Sequence, residues 1–135
     1  MNRKFDSETM GLINTFESAT GAAVKDCIIS DRVLFIVEEN QMGKAIGKNG
    51  VNIKKMEHLL KKKIKLAEFS SDAAQFVKNL VYPNEVSVEK KEGTIIVHCK
   101  DSGTRAMVIG RERQNINSIF GIAKRYFDVA EIKVA

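Results

Sequence analysis

Apolar residues fall at helical spacing twice, at Leu12, Ile13 and Phe16 and again at Phe76, Val77 and Leu80. Each set marks one buried face of a helix with polar positions around it. Asp6 or Ser7 can cap the first helix, and Gly21 stands where it should stop. Asp72, followed three residues later by Gln75, has the form of a capping box for the second, which should end before Pro83. The pattern then shifts to β-rich runs in each half: 23–29 and 33–37 around a turn at Ser30-Asp31, and 85–88 and 95–99 around a turn at Glu92-Gly93. Helical periodicity returns with Ile53, Met56, Leu59 and Leu60 in one half and Ile116, Ile119, Ile122 and Ala123 in the other, and each half closes on a strand, 64–69 or 128–134. Each half therefore predicts helix, strand, strand, helix, helix, strand. The fold class is α+β, with a three-stranded sheet per half and helices on one face.

Between the hairpin and the last helix sits a repeated motif. Lys44-Ala45-Ile46-Gly47-Lys48-Asn49-Gly50-Val51-Asn52-Ile53 and Met107-Val108-Ile109-Gly110-Arg111-Glu112-Arg113-Gln114-Asn115-Ile116 share one form, and Gly110 follows Gly47 by the same 63 residues as Ile116 follows Ile53. An internal repeat of this length is a whole small domain used twice, here 1–69 and 70–135. A glycine-framed cationic turn between two helical segments lets backbone come close to a phosphate, where a bulky side chain would obstruct it.

Composition narrows the picture. The chain has 135 residues and a formal net charge of +5. Residues 1–69 carry 12 basic and 9 acidic side chains, and residues 70–135 carry 10 and 8. An excess of this size, spread over both halves, suits an anionic partner. A unit of such length buries only roughly 60% of its unfolded surface and is marginal alone. The link Phe69-Ser70-Ser71-Asp72 has no Gly or Pro, so a rigid, docked, monomeric tandem is expected. Cys27 and Cys99 fall inside apolar runs at non-equivalent places in the repeat and read as reduced core thiols. With His58 and His98 the only histidines, no spacing would hold a zinc, and no metal or cofactor is expected. The basic N-terminus has no apolar stretch behind it for a signal peptide, and no segment is long enough to span a membrane. A cytoplasmic protein with no membrane partner is the expectation.

Ile46-Gly47-Lys48-Asn49-Gly50-Val51-Asn52-Ile53 resembles the Ile-Gly-x-x-Gly-x-x-Ile core of K-homology (KH) domains, and the order of elements resembles the type II, prokaryotic arrangement. Two such units in a chain of this length resemble the archaeal NusA-like transcription factors, and the run Ile122-Ala123-Lys124-Arg125-Tyr126-Phe127-Asp128-Val129 is similar to the junction that ends their second unit. The resemblance runs from about residue 5 to the end. It implies single-stranded RNA binding beside RNA polymerase during elongation or termination, with the glycine loop gripping the RNA backbone. Carried onto this chain, Gly47, Lys48, Asn49 and Gly50 would form the first clamp, Ile46 and Ile53 would hold the helices around it, and Lys44, Lys54 and Lys55 would add phosphate contacts. Gly110, Arg111, Arg113 and Asn115 would form the second.

The second copy departs from the pattern, because Arg113 stands where the second glycine belongs. A Cβ there should resist a positive φ and narrow the approach of a phosphate, leaving the arginines to make contact through their side chains. Plainer readings stand beside these. Gly47 and Gly50 can serve as a tight interhelical turn alone, and Lys61-Lys62-Lys63 as a solvated helix end. Met10, Met42, Met56 and Met107 read as core or groove filler, and Tyr82, Tyr126 and the phenylalanines as mostly core. No catalytic motif is present, and the glycine loops lack the Lys-Ser/Thr ending of a nucleotide-binding loop, so an enzyme is not expected. A ribosome-associated KH protein and a protein-interaction adaptor with degenerate KH folds remain as alternatives.

Overall fold

The computed structural model describes residues 7–30 and 32–135. The alternative cap Asp6 and the turn residue Asp31 lie outside the described residues. The chain divides into two compact units that part between Phe69 and Ser70, and both carry their elements in one order.

The first unit runs α1 (Ser7–Thr20), β1 (Val24–Ile29), β2 (Val33–Val37), α2 (Met42–Ile46), α3 (Val51–Leu60) and β3 (Ile64–Glu68). Gly21 adopts φ 77° and donates its N–H to the Glu17 carbonyl at 2.9 Å, ending α1 in a left-handed turn. β2 is the central strand, antiparallel to β1 and parallel to β3. Its alternate residues Val33, Phe35 and Val37 meet Ile13 and Phe16 of α1, Ala45 of α2 and Met56 of α3 in one core. The rings of Phe16 and Phe35 stack at 4.2 Å. Leu59, at helical spacing with that face, is instead 57% exposed. Met56 fills the position that meets the sheet, and Leu60, one residue past Leu59, takes the next place against the core.

The second unit runs α4 (Ala73–Val81), β4 (Val86–Lys91), β5 (Thr94–Cys99), α5 (Ser102–Ile109), α6 (Gln114–Ala123) and β6 (Glu131–Val134). β5 is central, again antiparallel to the strand before it and parallel to the last. The β4–β5 hairpin closes through Glu92, at φ 55°, and Gly93, with Lys91 opposite Thr94, so β4 extends past the expected 85–88. Ile95, Val97 and Ile132 of the sheet and Phe76, Val108, Ile116, Ile119 and Ala123 of the helices are buried. Asp72 caps α4 by accepting the Ala74 N–H at 3.1 Å. Gln75 does not complete a capping box, because its amide donates to Asn79 one turn on.

Both cysteines are free thiols, Cys27 buried and Cys99 partly so. Burial pushes the Cys99 thiol up, with Arg105 opposing. Met56 is core, whereas Met10 and Met107 are exposed, as is Tyr82, which is 72% exposed on leaving α4. Of the readings as core or groove filler, Met10 and Met107 are therefore not core, and Tyr82 departs from the core spacing of the aromatics. Among the described residues no helix is long and apolar enough to cross a membrane.

Removing a fully buried ring should far outweigh removing a surface cap. Phe35→Ala is expected to cost about 3–5 kcal/mol, most of the stability of a small domain, and Asp72→Ala about 1 kcal/mol. Urea unfolding of both variants beside the parent checks this ranking, and equal midpoints would overturn it.

Candidate nucleic-acid interface

The two glycine motifs fold into one structure. α2 ends at Ile46, and Gly47 closes its final turn by donating to the Gly43 carbonyl at 2.9 Å. The backbone then reverses at Gly47 with φ 74° and ψ 171°, a combination open essentially to glycine alone. Lys48–Gly50 form a 3₁₀ turn in which Asn49 (φ 57°, ψ 27°) and Gly50 (φ 74°, ψ 17°) are left-handed, and α3 starts at Val51. The Gly50 N–H donates to the Gly47 carbonyl at 3.1 Å.

The second motif repeats this nearly angle for angle. Gly110 has φ 76° and ψ 170°, Glu112 has φ 55° and ψ 31°, and Arg113 has φ 62° and ψ 21°. The Gly110 N–H donates to the Ala106 carbonyl at 2.9 Å and the Arg113 N–H to the Gly110 carbonyl at 3.2 Å. Arg113 adopts the positive φ that its Cβ was expected to resist. Its φ and ψ fall in the left-handed helical region, which an L-residue enters at a cost of roughly 1–2 kcal/mol, unlike the region occupied by the first glycine. A Cβ built on Gly50 meets nothing within 4 Å, so this position has room for a side chain.

Asn52, to which sequence reasoning gave no role, holds the first loop. It is the second residue of α3, and its Nδ2 donates to the Lys44 carbonyl at 2.8 Å. That carbonyl is one of those left without an intrahelical partner where α2 stops. Asn115 does the same in the second motif, donating to the Met107 carbonyl at 2.9 Å. The signal was in the sequence: an asparagine stands five residues after the first glycine in both copies.

Side chains around the turns are largely free to meet a ligand. Lys44, Lys48, Asn49, Lys54 and Lys55 are exposed in the first unit, and Arg111, Glu112 and Arg113 in the second. None of the ion pairs seen among the described residues involves these lysines or arginines. Lys44 lies in the last turn of α2, Lys48 in the turn itself, and Lys54 one helical turn beyond Gly50. Ile46 and Ile53 are half-buried on the two helices that flank the turn. In the second unit the positions of Lys44, Lys54 and Lys55 are taken by Met107, Asn117 and Ser118, so fewer cations flank its turn, with Arg105 exposed on α5. In the turn Glu112 stands between Arg111 and Arg113. Asp101 caps α5 through the Thr104 N–H at 2.7 Å, and that hydrogen bond is the main cause holding its carboxyl below the usual range.

Comparison with known proteins agrees with this geometry. A family model for the KH domain matches residues 13–71. The "Probable transcription termination protein NusA" of Methanococcus vannielii is 37% identical over 139 residues, covering 99% of this chain and 80% of that protein. The protein of the same name from Thermoplasma acidophilum is 33% identical over 135 residues, covering 96% of this chain and 93% of its own. A crystal structure of APE1850 matches with a TM-score of 0.74 at 27% identity, over 97% of this chain and 100% of that one. With a KH core around its first glycine turn and relatives that align along nearly its whole length, the chain belongs to the archaeal NusA-like family of KH proteins.

Proposed function

We propose that this chain is a single-stranded RNA-binding factor that works beside RNA polymerase in elongation or termination, with residues 1–69 and 70–135 each acting as a KH domain. The observation that carries the reading is the duplicated turn. Two loops with matching backbone angles each present exposed cations, and a turn of this kind serves the RNA backbone in KH modules. The names of the relatives point to transcription, and polymerase is the partner they suggest.

The loop at Gly47–Gly50 is the stronger grip. Lys44, Lys48, Lys54 and Lys55 gather on the elements that bound it, with no acidic residue in the turn. The second loop works through side chains: Arg111 and Arg113 meet phosphate, and Glu112 lowers the net charge. With Phe16, Phe35 and Phe76 fully buried, recognition rests on backbone contacts and base-edge hydrogen bonds more than on stacking.

Reversing the charge of the first turn isolates it from folding, since Lys48 and Asn49 are both exposed. Lys48→Asp with Asn49→Asp should weaken single-stranded RNA binding at least about tenfold, roughly 1.4 kcal/mol, and leave the melting temperature near that of the parent. Filter binding and a thermal melt check both halves of this statement. Parental affinity in a normally folded variant would remove the clamp from this loop.

Salt titration reads the number of phosphates held. About three to five contacts across both units predict a slope of log K against log salt of roughly −2 to −3.5 for a single strand. Duplex RNA should compete poorly, because splayed bases and not a stacked helix enter a KH groove. A flat slope would favour the adaptor reading, and equal binding of duplex would count against a KH mechanism.

Arg113→Gly separates contact from obstruction. Relief of the left-handed strain and the greater freedom of glycine in the unfolded chain nearly cancel, so the melting temperature should hold. Binding should weaken and the salt slope become shallower by about 0.7, one contact. Tighter binding in that variant would show that the arginine obstructs.

A further inference from the structure

We infer that Asn52 and Asn115 are positioning residues that set the conformation of the two glycine turns and through it their grip on RNA. This rests on the clamp reading above. The first observation is the hydrogen bond each makes back across its turn, Nδ2 of Asn52 to the Lys44 carbonyl at 2.8 Å and Nδ2 of Asn115 to the Met107 carbonyl at 2.9 Å. Each joins the first turn of one helix to the last turn of the helix before it, so the two helix ends that bound the loop are tied together.

The second observation is steric and independent of the first. A Cβ built on Gly47 would lie 2.8 Å from both Cγ and Nδ2 of Asn52, and one on Gly110 would lie 2.6 Å from Cγ of Asn115. In each unit the asparagine side chain therefore occupies the space that the absent side chain of the glycine leaves open. Glycine supplies the reversal, and asparagine packs on it and fixes how far it opens. Neither residue needs to touch RNA. The same pair recurs in both units although the residues between them differ, Lys48-Asn49-Gly50 in one and Arg111-Glu112-Arg113 in the other. What the turns present has diverged, while what shapes them is shared.

The pairing explains which glycine is replaceable. The first glycine in each motif occupies a backbone region closed to side chains and faces the asparagine. The second faces open space in a region other residues can enter, and in the second unit it is Arg113.

The test is Asn52→Leu, which keeps the side-chain volume and removes the donor, studied in the full chain far below its melting temperature. Single-stranded RNA affinity should fall at least about fivefold, and exchange of the Gly50 amide should quicken about tenfold as its bond to the Gly47 carbonyl loosens. In the Lys48→Asp/Asn49→Asp background the same substitution should change affinity by less than about twofold, because a residue that acts only through the turn is coupled to it. A merely structural role would shift the melting temperature and leave this coupling absent. Should Asn52→Leu fail to fold, Asn115→Leu read at the Arg113 amide supplies the same comparison in the other unit. Parental affinity with parental exchange, or equal weakening in both backgrounds, would overturn the inference. If the Lys48/Asn49 variant itself binds like the parent while Asn52→Leu still loosens the Gly50 amide, the RNA reading falls and the setting of the turn by Asn52 stands.

Discussion

The candidate site depends on one backbone state. At Gly47 and Gly110 the chain leaves a helix with φ near 75° and ψ near 170°, a conformation that a Cβ makes costly. Everything that follows is local consequence. The reversal stops the short helix, leaves carbonyls at its end without partners, and starts the next helix after three residues. An asparagine from that next helix takes up one carbonyl and fills the space beside the glycine. The turn is held by hydrogen bonds and packing within a dozen residues, so its side chains can change without losing its shape.

That separation of shape from surface accounts for the difference between the two units. The backbone angles of the turns agree within about twelve degrees at each compared position although one carries a lone lysine and the other two arginines around a glutamate. Around the first turn, lysines on both flanking helices extend the positive charge; around the second, Met107, Asn117 and Ser118 do not. Electrostatic attraction to a polyanion is long-ranged and sums over charges, so the two units differ in how much charge they bring to the turn and not in its shape.

Much of this architecture is legible in the sequence because its signals are local. The spacing of Phe76, Val77 and Leu80 gives α4, Gly21 ends α1, and the 63-residue offset ties the two halves together. What escapes is what local pattern cannot carry. Leu59 and Tyr82 are exposed although their spacing points to the core, because spacing places a residue on a face and only packing decides whether anything covers it. Gln75 has the right spacing for a capping box but finds Asn79 instead. Arg113 breaks the glycine pattern of the motif, and the sequence alone does not report that its position needs only a left-handed helical backbone, while Gly110 occupies a region closed to side chains. Asn52 stood in plain view as the opening of a helix and Asn115 entered only as a contact of the second clamp; the hydrogen bond and packing that each makes back across its turn follow no helical or strand period.

On the proposed function, RNA backbone is gripped at these two turns. Titration of the full chain with a short unstructured RNA, followed by amide chemical shifts, reads that grip residue by residue. The largest shifts should fall on 47–51, with smaller ones on 110–114, and the outer strands β1 and β4 should stay unmoved. Shifts centred away from both turns, or absent at RNA concentrations that saturate binding, would contradict it.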